Sequence, residues 1–150
     1  MNLLVSTYVN NIDKKGRISL PAVFRNVLVN EGLSGVMVYP SIKHNCIECC
    51  NVDRFSEIHK IIEGLDPYSE ERDAFETVIL GEAVQLLIDG EGRVILPKHL
   101  CEYAKIDTQA SFVGKGSIVE IWNPDLFETH KILSKQIAQQ SRGLLKNIKT

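Results

Sequence analysis

The chain has 150 residues, of which 44% are hydrophobic and 24% charged, a globular composition with room for one ordinary domain or two small ones. No apolar run reaches the roughly 20 residues needed to span a bilayer, and the opening "MNLLVSTYVNN" lacks a basic n-region and a sustained apolar core, so neither a membrane span nor export is expected. The net charge of −2 hides an uneven distribution. Residues 1–50 carry a net +2, residues 51–92 a net −8 and residues 93–150 a net +4, which implies a polar field rather than a uniform one. A cytoplasmic protein with reduced thiols is the expectation.

In chain order, Thr7–Ile12 reads as a strand, "DKKGR" as a turn with Gly16 free to take positive φ, and Ile18-Ser19-Leu20 as a second strand. Pro21 opens a helix, "PAVFRNVLVNEG", with Val23, Phe24, Val27 and Leu28 on one face and Gly32 as its stop signal. "GVMVYP" and "NCIECC" are short strands around "SIKH". Asn51 caps a helix from Val52 to about Glu63 whose apolar stripe is Phe55, Ile58, Ile61 and Ile62. Asp66-Pro67 is a break, and Ser69 caps the helix "EERDAFETVIL". Then "AVQLLI", "DGEGR" and "VIL" form strand, turn and strand, and Pro97 opens the helix "PKHLCEYA". "SFVG" and "SIVEIW" are strands around Lys115-Gly116, and Asn123-Pro124-Asp125 starts an amphipathic helical tail.

The second half repeats the first. "NNIDKKGRISLP" (10–21) lies over "LLIDGEGRVILP" (86–97) at an offset of seventy-six, and "IECCNVDRFSEI" (47–58) over "VEIWNPDLFETH" (119–130) at seventy-two. The first copy therefore has four extra residues, which we place in the 41–45 loop. A duplicated unit of strand, turn, strand, helix, two strands and helix is the strongest signal in the sequence.

Within Asp-x-x-Gly-Arg, Asp accepts bonds from turn amides, Gly supplies the left-handed conformation, and Arg returns within reach of Asp. A self-capped turn accounts for Asp13, Gly16 and Arg17 and for Asp89, Gly92 and Arg93 equally well. It leaves Lys14 and Lys15 unexplained, and two lysines on a turn tip concentrate charge where phosphate could meet it. The second copy carries Gly90 and Glu91 there instead. Cys46-x-x-Cys49 has metal-site or redox spacing, but residues three apart on a strand face opposite ways and no second ligand pair follows. Cys46, Cys49 and Cys50 align with apolar Ile118, Ile121 and Trp122, so small hydrophobic side chains are the better reading, with no metal and no cofactor. Cys101 near His99, and Asp13 or Asp89 with His44, are the sole catalytic candidates. No phosphate loop or nucleophile elbow supports them, and each histidine is read as a surface residue. An enzyme is not expected.

"IDKKGRISLPAVFR", then "IDGEGRVILP", then "FVGKGSIVEIW" resembles the MraZ family over about residues 4 to 130. The resemblance implies a mixed α/β protein of duplicated AbrB-like swapped-hairpin β-barrel subdomains with flanking helices. Its units are residues 4–66 with the DNA-binding turn, residues 67–130, and a helical tail over 131–150. It implies a sequence-specific transcriptional regulator of the nucleoid. Such a protein forms a ring-shaped homo-oligomer, octamer or dodecamer, and binds short direct repeats in double-stranded DNA upstream of the division and cell-wall gene cluster and its own gene. Carried over by position, Lys14, Lys15, Arg17 and Arg25 are the DNA-binding residues. Asp13, Gly16, Asp89, Gly92 and Arg93 structure the turns. The second motif lacks a lysine and the usual Phe-x-Gly opening is absent around Leu4–Ser6. On this reading Arg17 meets DNA while Arg93 pairs with Asp89 or Glu91. The alternative is an oligomeric interaction scaffold that does not touch DNA.

Overall fold

The computed structural model describes residues 3–29 and 35–146, so the stop signal at Gly32 and the last tail residues lie outside the described residues. The first copy contributes β1 (Thr7–Asn11), β2 (Arg17–Ser19), α1 (Ala22–Leu28), β3 (Gly35–Pro40), β4 (Ile47–Cys50) and α2 (Val52–Glu63). After α3 (Glu70–Phe75) and a π-helical turn (Glu76–Leu80), the second contributes β5 (Val84–Leu87), β6 (Arg93–Ile95), α4 (Lys98–Ala104), β7 (Gln109–Gly114), β8 (Val119–Trp122) and α5 (Pro124–Gln140). The three polar helix starts are capped as their sequences require. Asn51 accepts the N–H of Arg54 at 2.8 Å, Ser69 that of Arg72 at 3.2 Å, and Asn123 those of Asp125 and Leu126.

The strands of the two copies interleave. One antiparallel sheet runs β1-β7-β8-β4-β3-β5, and β2 and β6 form a separate two-stranded ribbon. β1 pairs with β7, Thr7 opposite Val113, and its counterpart β5 pairs with β3, Leu87 opposite Gly35. Strand, turn and strand therefore do not close on themselves as a simple hairpin. β2 has a single inward side chain, Ile18, too little to bury alone. Paired with β6 it sets Ile18 against Val94, 1% and 2% exposed, and the two copies share one dry contact. Ile18 and Val94 are equivalent residues, as are Glu48 and Glu120, which face each other across β4 and β8. An approximate two-fold axis passes through both pairs. The offset between copies is seventy-four at β3 and β7. Two of the four extra residues therefore fall between α1 and β3, and only two fall in the loop before β4.

Strand alternation then sorts the side chains. Val36, Val38, Ile47, Cys49, Phe112, Val119 and Ile121 point from the sheet into a core closed by Ile18, Leu20, Val94 and Leu96 of the ribbon arms, by Phe24 and Leu28 of α1, and by Leu100 and Ala104 of α4. The other face is covered in two places. Tyr39 and Cys50 lie under Ile62 of α2 and Ile79 of the π-helical turn, while Val113 and Trp122 lie under Phe127 of α5. Two expected stripe residues face outward: Val23 is 52% and Ile61 66% exposed. The helix expected over 70–80 stops being α-helical after Phe75. The β-branched run Thr77-Val78-Ile79 follows, and the N–H of Gly81 reaches back five residues to the carbonyl of Glu76 at 2.9 Å. The extra residue in that turn accompanies burial of Ile79 against the sheet.

Candidate nucleic-acid interface

Both Asp-x-x-Gly-Arg turns fold on themselves, and in the same way. Asp13 Oδ1 accepts the N–H groups of Lys15 at 2.9 Å and Arg17 at 2.8 Å, and its Oδ2 accepts Arg17 Nε at 2.7 Å. Asp89 does the same with Glu91, Arg93 and Arg93 Nε, all at 2.9 Å. Gly16 at φ +81° and Gly92 at φ +80° complete the turns in the left-handed region. The backbone N–H of Arg17, above all, holds the Asp13 carboxyl below the usual carboxylate range, and the N–H of Arg93 does so for Asp89. The self-capped turn is thus present in both copies.

Charge is what differs. Lys14 and Lys15 are exposed at the tip of the first turn, and neither ammonium has an ion-pair partner among the described residues. At the second turn Glu91 reaches Arg93 Nη1 at 3.4 Å. With its Asp, the first turn carries a net +2 and the second a net −1. The ribbon register adds a fact that the sequence did not disclose. Because Ile18 and Val94 point inward, alternation places Arg17, Ser19, Arg93 and Ile95 together on the outer face of the ribbon. Each arginine is engaged with its own Asp, and Arg93 is as well presented as Arg17.

Of the four expected DNA contacts, Lys14, Lys15 and Arg17 are brought together at one turn. Arg25 is not among them. Its guanidinium lies on the backbone of Gly92 in the second turn, so close that a Cβ on that glycine would overlap it.

The thiols diverge as expected. Cys49 lies in the main core, Cys50 under α2, and Cys46 beside Trp122, all reduced. Burial raises all three, Cys50 to about 12. His99 Nε2 lies 3.0 Å from the carbonyl oxygen of Glu82, with no nucleophile among its contacts in the described residues. Two histidines read as surface residues are instead half-buried together. His130 stacks on Trp122 with ring centroids 4.8 Å apart, and His44 lies 4.3 Å from His130. His130 sits three residues after Phe127 on one helical face, a spacing that could have revealed it. Beneath them Glu120, 3% exposed, accepts Trp122 Nε1–H at 3.0 Å and faces Lys115 Nζ at 3.7 Å.

Two interleaved copies around an approximate two-fold, with an Asp-x-x-Gly-Arg turn at each end of a shared ribbon, define a duplicated swapped-hairpin protein of the AbrB-like class. The sequence profile for MraZ protein matches residues 3–72 and 79–146. The chain belongs to the MraZ family. It is 55% identical over 147 residues to the Transcriptional regulator MraZ of Rickettsia akari, spanning 98% of this chain and 99% of that one. It is 53% identical over 148 residues to the same-named proteins of Rickettsia typhi and Rickettsia bellii, again with 98–99% of each chain covered.

Proposed function

We propose that the protein is a transcriptional regulator that binds double-stranded DNA through the turn Asp13–Arg17, and that it works in the cytoplasm on the nucleoid. The observation that carries this reading is the pair of ammoniums at Lys14 and Lys15, without an ion-pair partner among the described residues, held at the tip of a turn whose own carboxylate is turned inward. Asp13 is consumed by two backbone amides and Arg17, so it shapes the tip without neutralising the lysines. Lys14 and Lys15 meet phosphate, and the two guanidinium nitrogens that Arg17 keeps beyond its Nε bond with Asp13 are available for a base edge or a second phosphate.

One such turn binds weakly, because each phosphate contact is modest and screened by salt. Assembly multiplies it by effective concentration. A ring-shaped homo-oligomer is supported by apolar residues left uncovered. Ile132, Leu133 and Ile137 of α5 are 61%, 54% and 52% exposed. A cavity of about 260 Å³ lined only by apolar side chains, among them Ile42, Ile61 and Leu65, opens beside α2. Repeated turns on such a ring match short direct repeats upstream of the division and cell-wall genes and of the chain's own gene.

The test is a titration of the full-length protein against a duplex carrying its own upstream region and against a scrambled duplex, with the oligomeric state measured by light scattering. Preference for the upstream duplex upholds the reading. An oligomer that binds neither duplex would leave the scaffold as the function.

A further inference from the structure

Arg25 leaves α1 and lays its guanidinium on the peptide of Gly92, where a Cβ would overlap it. Gly92 is itself buried, and its carbonyl accepts the N–H of Leu20 at 3.0 Å. The second turn is therefore met twice by the first repeat, by a hydrogen bond from the end of β2 and by a side-chain contact from the helix that follows. Among the described residues no side chain reaches the first turn in this way. Cys101 stands at the position equivalent to Arg25, and a Cβ on Gly16 would meet only Ile95 Cγ2, at 3.9 Å.

We propose that Arg25 is a positioning residue, which clamps the second turn against α1 and so sets the orientation of the ribbon displaying Arg17, without touching phosphate itself. The role rests on the DNA-binding reading above. Three observations favour a clamp over a phosphate contact. The ribbon strands are only three residues long, so their pairing alone leaves the ribbon free to tilt. The turn beneath Arg25 has Glu91 at its tip and no lysine, which disfavours an approaching phosphate. And the seat suits a planar group lying on a side-chain-free peptide, a fit that guanidinium has and ammonium lacks. Arg25 forms no ion pair among the described residues, so removing it strands no buried carboxylate.

The test uses the full-length protein with Arg25→Lys, Arg25→Gln and Lys15→Gln. Two quantities are read: affinity for the upstream duplex across a salt series, and hydrogen exchange of peptides covering Leu20 and Gly92. The clamp predicts that both Arg25 variants lose affinity by roughly 10- to 100-fold, the range for misplaced contacts. Both should keep the parent's salt dependence, and both should speed exchange at Leu20. Lys15→Gln should instead flatten the salt dependence by about one unit for each turn engaged and leave Leu20 as it was. Lys supplies the charge without the plane, so it decides the matter. If Arg25→Lys binds like the parent while Arg25→Gln flattens the salt dependence as Lys15→Gln does, Arg25 is a phosphate contact and the proposal fails. Unchanged exchange at Leu20 in both Arg25 variants also overturns it. A parent that binds no duplex overturns the DNA reading, and with it the role given to the clamp, while the exchange measurement still reports the clamp itself.

Discussion

Rewriting the first turn as the second, by Lys14→Gly with Lys15→Glu, should weaken DNA binding and flatten its salt dependence without disturbing the fold. The second copy is an internal control, because "DGEGR" already forms the same three bonds to its Asp within 0.2 Å of those made by "DKKGR". Both substituted side chains are exposed, and stability should stay within about 0.5 kcal/mol of the parent. The charge on each turn falls from +2 to −1. Each lost phosphate contact reduces the slope of log affinity against log salt by about 0.9, so a turn losing two contacts sheds about 1.8, and two engaged turns about 3.6. Between about 50 and 200 mM salt, contacts of that number account for roughly a hundredfold fall in parental affinity, which the variant should not display. Fluorescence anisotropy with a labelled duplex across that salt range measures the slope, and chemical denaturation checks the fold. A variant that folds normally yet keeps the parent's affinity and slope would refute the assignment of these lysines to phosphate. Loss of structure would refute the equivalence of the turns.

Three further outcomes are expected. Burial, then the neighbouring His44, holds His130 below its ordinary value of 6.5, against the pull of Glu120 and with the help of Lys115. The unfolded chain therefore takes up its proton first as pH falls. The contribution of His130 is complete above 6.5 and is lost from there down to the depressed native value. Trp122, the one tryptophan, should report the native titration as a quench, and His44→Gln should move its midpoint upward; a midpoint that stays put would exclude the coupling. A thiol reagent should modify Cys101 first in the native protein, with Cys46, Cys49 and Cys50 released only on unfolding, since burial raises all three and they are at most 1% exposed; four equally fast thiols would contradict the packing. Phe24→Ala should cost about 3–5 kcal/mol, because Phe24 is fully buried and meets Tyr8 edge-on at 5.4 Å, and a loss near that of a surface residue would mean that α1 is not part of the core.

Local chemistry was legible in the sequence. The Asp, Gly and Arg of each turn, the caps at Asn51, Ser69 and Asn123, and the divergence of the cysteines all depend on residues within a few positions of one another. What escaped depends on pairing between copies. A strand of three residues carries no mark of its partner, so that Arg93 shares a face with Arg17 follows only from the Ile18–Val94 register. Arg25 was placed with the first turn by the family resemblance alone, and nothing in its local sequence marks a contact across the copies. Its true neighbour, Gly92, is sixty-seven residues away. The histidine cluster joins a loop of one copy to a helix of the other, and the π-helical turn depends on where Ile79 meets the sheet.

The interleaving also has a consequence for how the chain is born. Thr7–Asn11 leaves the ribosome well ahead of its ladder partner, Gln109–Val113, which is synthesised about a hundred residues later. At about 5–20 residues per second, the earlier strand waits for several seconds with its edge unpaired, exposed to other nascent chains carrying the same edge. Neither half can settle first, since each supplies the strand that completes the other. Successful folding therefore waits for synthesis of the second copy, and a product truncated before β7 should be recognised as unfolded rather than persist as half a regulator.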